Sequence, residues 1–216
     1  MEIEQLQRKL LEAQTMLDQK RKDGASINEI LAAYEAIHQA ERTLAAAQEQ
    51  EYAVELHLGI VPEASISGAH LFQDESHHFL AFNSMRPRPD GGLRQPSGLA
   101  IVELIGCLIT RFGHPNDEAL PGHSLFHRGL EGYGIYEVHN SMWCDEVVKI
   151  NRVRFPATNR SYCGRHFMFT FHDDTLECLA SDLKLEVKPY SPRFEKVYEV
   201  IRAWWSIQEV LRPREP

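Results

Sequence analysis

The densest set of groups able to do chemistry lies in a polar loop that runs from Gly113 to Gly134. It carries five side chains that can bind a metal ion or move a proton: His114, Asp117, Glu118, His123 and His127. These residue types suit a divalent metal such as zinc, with His114, Asp117 and His123 as ligands. Glu118 would be the catalytic base toward a metal-bound water, whose pKa the metal lowers.

The same loop has a structural interpretation. Its spacings match no metal-site framework, and its glycines and prolines are residues that fix turns. Asn116 or Asp117 can cap a short helix there, and polar loop side chains more often satisfy backbone groups than bind ions. The sequence leaves both interpretations open, and it indicates no cofactor other than this possible metal.

A second set lies in the segment from Arg165 to Ser181. Three phenylalanines alternate there with polar residues: Phe167, Phe169 and Phe171. This period of two, followed by Asp173 and Asp174 as turn residues, predicts a β-hairpin with its aromatic face in the core. The opposite face would then be polar.

That polar face offers candidate ligand-binding residues, which are His166, Thr170 and Glu177. His172 is a candidate catalytic base, because a carboxylate such as Asp173 beside an imidazole raises its pKa and orients its ring. The simpler alternative is that the aspartates only form the turn. A two-residue turn would place His172 opposite Thr175, and Thr170 opposite Glu177.

The loop and the polar face are expected to form one concave site. A long connection rich in glycine and proline is a natural cover for a sheet face. His123 and His172 should therefore lie on the same side of the sheet. Cys163, beside Arg165 and His166, is a further candidate as an activated thiol, since cationic neighbours favour the thiolate.

The N-terminal quarter predicts two helices. Apolar residues recur at spacings of three and four from Ile3 to Leu17 and again from Ile27 to Ala45. Ser26 and Glu29 have the spacing of a capping box for the second helix. We assign residues 1–50 to a coiled-coil-like helical hairpin that either packs on its own domain or forms a homodimer.

Residues 51–216 predict one α+β domain. Strand patterns joined by short turns favour a largely antiparallel sheet, with an additional helix from Ser191 onward that covers it. Leu99 to Phe112 is apolar on both faces and rich in β-branched residues. It is predicted as one strand, either central and covered on both sides or crossing from the core to an interface, with a buried helix as the alternative. The N-terminal helical hairpin stands before this domain.

Three runs resemble a group of bacterial proteins without an assigned activity: G-H-P-N-D-E-A-L-P-G-H-S-L, Y-G-I-Y-E-V-H-N-S-M-W and H-F-M-F-T-F-H-D-D-T-L-E-C. The resemblance covers about Ala100 to Ser181. It implies that the three runs belong to one domain, and it brings no cofactor or catalytic residue with it.

Charge and motifs restrict the function. The formal net charge of -8 opposes binding to a phosphate backbone, which needs clustered lysine and arginine, so no nucleic acid partner is expected. No apolar run is long enough to span a membrane, and we expect a cytoplasmic protein without a membrane partner. Nucleotide-binding loops and nucleophile elbows are absent.

Two functions follow as hypotheses. The first is a non-enzymatic binding or regulatory module that acts through protein–protein interaction, with a protein partner or a second copy bound through residues 1–50. The alternative is a metal-assisted hydrolase that uses the loop of residues 113–134. The sequence does not decide whether the protein is an enzyme.

Overall fold

The computed structural model describes residues 3–64, 68–87, 94–189 and 206–207. The helices are α1 Ile3–Lys22, α2 Ile27–Ala47 and α3 Met142–Arg152. The strands are β1 Tyr52–Glu55, β2 Val61–Pro62, β3 Ala69–Gln73, β4 His78–Arg86, β5 Gln95–Ile105, β6 Ile109–Gly113, β7 Ile135–His139, β8 Arg165–Thr170, β9 Thr175–Ala180 and β10 Asp182–Lys188. The predicted α+β class is confirmed.

The two N-terminal helices form the predicted antiparallel pair. Leu17, Ala33 and Ile37 are buried between them, as the apolar spacing requires. The capping box is also present, since the Ser26 side chain accepts from the Glu29 amide and the Glu29 carboxylate accepts from the Ser26 amide. Helix α2 joins the hairpin to the rest of the chain, since it packs against the 3-10 turn at residues 126–128 and against β1.

The strands form two antiparallel sheets rather than the one that was predicted. Sheet 1 has the order β1-β7-β8-β9-β6, and sheet 2 has the order β10-β5-β4-β2 with β3 also paired to β4. Inner-face side chains of both sheets meet in one core, which contains Phe82, Val102, Phe167 and Phe169. The Phe82 ring lies edge-on to Phe169, with 6.3 Å between centroids.

The prediction of one strand over Leu99–Phe112 is wrong. The chain bends at Gly106, whose φ of +57° suits glycine, and β5 ends in sheet 2 while β6 begins in sheet 1. A Cβ added at Gly106 would lie 2.6 Å from the Ser181 hydroxyl oxygen. Ser181 is itself the single residue between β9 and β10, so the two corners lie against each other. Both apolar faces of the segment are explained by this change of sheet.

The predicted hairpin of β8 and β9 is present, but its register differs by two residues. Four residues rather than two join the strands, and the Phe171 amide donates to the Asp174 carbonyl at 2.9 Å. Thr170 therefore pairs with Thr175, and Glu177 pairs with Met168. The shift keeps the side-chain alternation, since a displacement of two residues leaves each side chain on its original face.

The predicted C-terminal helix from Ser191 lies outside the described residues, except for Ser206 and Ile207. Ile207 is buried against the outer face of sheet 2, beside Phe79 and Leu99. No described helix is long and apolar enough to cross a membrane.

The core position of Phe169 predicts a large loss of stability on truncation. Phe169→Ala should lower the free energy of unfolding by about 3–5 kcal/mol, because the buried ring is replaced by a cavity. Val153→Ala, at an exposed position, should change it by less than ~0.5 kcal/mol. Chemical denaturation of both variants measures this, and equal losses would contradict the proposed core.

The homodimer through residues 1–50 stays a prediction. Leu11 and Met16 are exposed on α1, at 63% and 54% of their surface. If α1 joins two copies, the L11E/M16E variant should have half the mass of the parent in light scattering. Val153→Glu, at an exposed apolar residue outside the hairpin, should leave the mass unchanged, and a monomeric parent protein would refute the dimer.

Candidate functional site

A polar pocket of about 270 Å³ opens between α3, the polar face of sheet 1 and the loop of residues 113–134. We call it the His166 pocket. Its lining combines residues from distant parts of the chain: Glu51, Arg111, His123, Ser124, Leu125, Met142, Trp143, Glu146, His166 and Glu177. The expected meeting of the loop and the polar hairpin face thus occurs here, with His123 beside His166 and Glu177.

His166 is the buried centre of this pocket and only 4% exposed. Its Nδ1 lies 2.9 Å from the Ser141 hydroxyl and its Nε2 lies 3.1 Å from the Glu177 carboxylate. Donation from Nε2 to Glu177 leaves Nδ1 to accept the Ser141 proton. Trp143 packs edge-on against the ring, at 5.3 Å between centroids. Both ring nitrogens are therefore engaged.

Ser141 also begins α3. Its hydroxyl oxygen accepts from the Cys144 amide at 3.0 Å, which makes it the helix N-cap. The Glu51 carboxylate accepts a hydrogen bond from the amide of Met142, the first residue of the helix. The carboxylate of Glu51 thus lies at the positive end of α3, where negative charge is favoured.

Glu177 is an ionised acceptor in the pocket. Desolvation by burial raises the pKa of Glu177, but the hydrogen bond to His166 and the charges of His166, His123 and Arg111 outweigh it. The resulting pKa lies below the usual value for glutamate. The carboxylate therefore keeps its negative charge at neutral pH.

His123 is the opposite case, a neutral imidazole. Burial lowers the pKa of His123, although the carboxylates of Glu177 and Glu51 act in the other direction. Its Nδ1 accepts from the Leu125 amide at 3.2 Å. The proton of the neutral ring is then on Nε2, so His123 offers a donor and no free lone pair.

A cation–aromatic contact forms one wall. The Arg111 guanidinium lies over the Trp143 ring, 4.0 Å from its centroid, and 3.7 Å from the Glu146 carboxylate. Sequence reasoning missed Glu51, Arg111 and Glu146. No local pattern could have indicated these three residues, because their contacts join segments far apart in the chain.

Thr170 does not line the pocket, in contrast to its predicted role in ligand binding. It is fully buried, and its hydroxyl accepts from the Gly134 amide and donates to the Glu131 carbonyl, both at 2.9 Å. Thr170 fixes the end of the polar loop to β8.

The two predicted catalytic residues lie away from the pocket. His172 is half-buried in the β8–β9 turn, where the hydrogen bond to Asp173 at 2.9 Å raises the pKa of His172. Glu118 is exposed in the loop beside it, after Asp117, whose amide donates to the His172 carbonyl. The expected single site is therefore divided, because the alternation of strand β8 ends before His172.

The predicted metal ligands do not come together. Asp117 accepts from the Tyr133 hydroxyl, His114 is exposed and His123 lines the His166 pocket. Within the described part of the chain, one group of three His, Cys, Asp or Glu side chains has ligand atoms within 4.8 Å of one another. It consists of Glu35, His38 and Glu131.

Cys163 is not an activated thiol. It is buried at 2% exposure, and burial together with Cys144 raises the pKa of the Cys163 thiol to about 12. The neutral thiol is a poor nucleophile at physiological pH. Its cationic neighbour Arg165 instead pairs with Glu137 at 2.6 Å.

Comparison with known proteins adds no identity. No protein-family model matches the chain, and no curated protein or solved structure matches it.

The burial and hydrogen bonding of His123 predict its tautomer and the direction of its pKa shift. Nuclear magnetic resonance of the imidazole nitrogens should show the Nε2–H tautomer and a pKa below the ordinary value of about 6.5. Glu177→Gln should lower that pKa further, because the Glu177 charge favours the protonated ring. A pKa above about 6.5, or an Nδ1–H tautomer, would contradict the arrangement.

Proposed function

We propose that the protein is a non-enzymatic binding module that takes a basic side chain of a partner protein into the His166 pocket. The observation that carries this proposal is the charge of the pocket. Three carboxylates line it, those of Glu51, Glu146 and Glu177, against one permanent cation, Arg111. A bound Lys or Arg side chain would offset one of the two excess negative charges.

The wall of the pocket supports a cationic ligand. Arg111 already lies over Trp143 and near Glu146, so this surface holds a guanidinium by an aromatic face and a carboxylate together. Glu177, at the floor, stays ionised and has one oxygen engaged by His166. A second cation would meet Glu177 from the open side.

The state of the pocket's titratable groups favours binding over proton transfer. A general base needs an accessible lone pair and a pKa near the working pH. His166 has both nitrogens engaged, His123 accepts from Leu125 with its only lone pair, and the pKa of Glu177 is depressed. These groups act better as fixed donors and acceptors.

The size of the pocket suits one side chain. Its volume of about 270 Å³ is below the range of about 300–1,000 Å³ typical of small-molecule sites. The Nε2–H of His123 supplies a donor for a carbonyl oxygen of the bound segment. The net charge of -8 agrees with a basic partner, although charge of this sign also serves solubility.

The first test uses a single residue as the probe. N-acetylarginine amide should shift the side-chain resonances of Trp143 and His123, with a dissociation constant on the order of 1 mM. The citrulline analogue, which has the same shape without the charge, should bind at least tenfold more weakly. Equal binding of both analogues, or of neither, would refute cation recognition.

Variants locate the binding. Glu177→Gln should weaken binding of the arginine probe about tenfold, because it removes the ionised acceptor at the floor. Glu118→Gln makes the same change in charge at an exposed position outside the pocket and should have no effect. Arg111→Ala should strengthen binding, since it removes a competing guanidinium. Equal effects of Glu177→Gln and Glu118→Gln would place the cation elsewhere.

A further inference from the structure

Three ligand-type side chains converge where helix α2 meets the end of the polar loop. Glu35 and His38 lie on one side of α2, three residues apart, and Glu131 lies in the loop. One ligand atom from each lies within 4.8 Å of the others. We call this group the α2–loop cluster, and it is separate from the His166 pocket.

One carboxylate oxygen at this interface, Oε2 of Glu41, is buried without a hydrogen-bond partner among the described residues. Nδ1 of His38 lies 2.5 Å from a Glu131 oxygen, and this carboxylate raises the pKa of His38. Glu41 is 11% exposed and has His127 at 3.8 Å. A buried polar atom left unsatisfied is costly and calls for an explanation such as a bound ion.

We propose that the α2–loop cluster binds a divalent transition metal ion, with zinc as the preferred ion. One imidazole and two carboxylates are ligand types that zinc accepts, and they leave at least one coordination position for water. Two negative charges and a neutral imidazole also balance the charge of the ion. A cavity of about 440 Å³ next to the cluster, lined by His38, Glu41, His127 and Glu131 among others, gives the ion access.

The metal would replace ion pairs that now hold the cluster. Arg42 contacts Glu35 at 3.0 Å, and His38 contacts Glu131. Zinc would require Glu35 to leave Arg42 and would separate His38 from Glu131 enough to place the ion about 2.0–2.2 Å from each ligand atom. An ion-pair network without metal is the competing interpretation.

Binding would connect the helical hairpin to the α+β domain. The loop already approaches α2 closely, since a Cβ added at Gly129 would lie 2.6 Å from Cδ of Arg42. Coordination by Glu35 and His38 from α2 and by Glu131 from the loop would join these elements through strong bonds. The ion would therefore control how firmly the hairpin is held on the domain.

Calorimetric titration of the full chain, prepared without an affinity tag, with zinc chloride tests the site. One zinc per chain should bind with a micromolar or tighter dissociation constant. His38→Gln and Glu131→Gln should each weaken binding at least tenfold. His77→Gln, which alters another histidine–carboxylate pair at an exposed site, should not. Absence of binding to the parent protein, or equal affinity in H38Q/E131Q, would overturn the proposal.

Cobalt(II) distinguishes this site from the cysteines and guards against variants that fail to fold. The parent protein should develop visible bands of a bound cobalt ion without the near-ultraviolet bands of cobalt–thiolate bonds. Thiolate bands would assign the metal to the cysteines and refute the site. Zinc should also slow amide hydrogen exchange in α2 and in residues 126–132 of the parent protein, and unchanged exchange would contradict the connection of hairpin and domain.

Discussion

The alternation of side chains along the β8–β9 hairpin is the constraint on which the rest of the structure depends. One face, with Phe167 and Phe169, is sealed between the two sheets. The other face must then carry His166 and Glu177 to the opposite side of sheet 1, where α3 and the polar loop cover them. A shift of one residue would bury the charged groups in the aromatic core, so the register is strongly specified.

Burial and hydrogen bonding fix the protonation states of the groups in the His166 pocket. Removing Glu177 from water opposes its ionisation, and the pair with His166 restores it. The same burial keeps His123 neutral, since its ring has an amide donor on one nitrogen. Groups that would titrate freely in water are therefore held in single states, which suits recognition by fixed charges and donors.

One loop serves two parts of the molecule. Its middle supplies His123 to the His166 pocket, and its end supplies Glu131 to the α2–loop cluster. Thr170 fixes that end to β8 through hydrogen bonds to the main chain of Glu131 and Gly134. If the contact between α2 and Glu131 changed, the loop that also lines the His166 pocket would move with it. The helical hairpin could therefore influence the proposed binding site.

Local patterns in the sequence determined the helical hairpin with its capping box, the α+β class and the two faces of the β8–β9 hairpin, because each depends on neighbours in the chain. Tertiary structure alone decided the division into two sheets at Gly106, where the Ser181 side chain from a distant part of the chain lies against the corner. It also decided which polar residues meet. Glu51 reaches α3 across about ninety residues of chain, and His38 meets Glu131 across a similar separation. Such contacts depend on how whole helices and strands pack against each other, and the sequence carries no local pattern that indicates them.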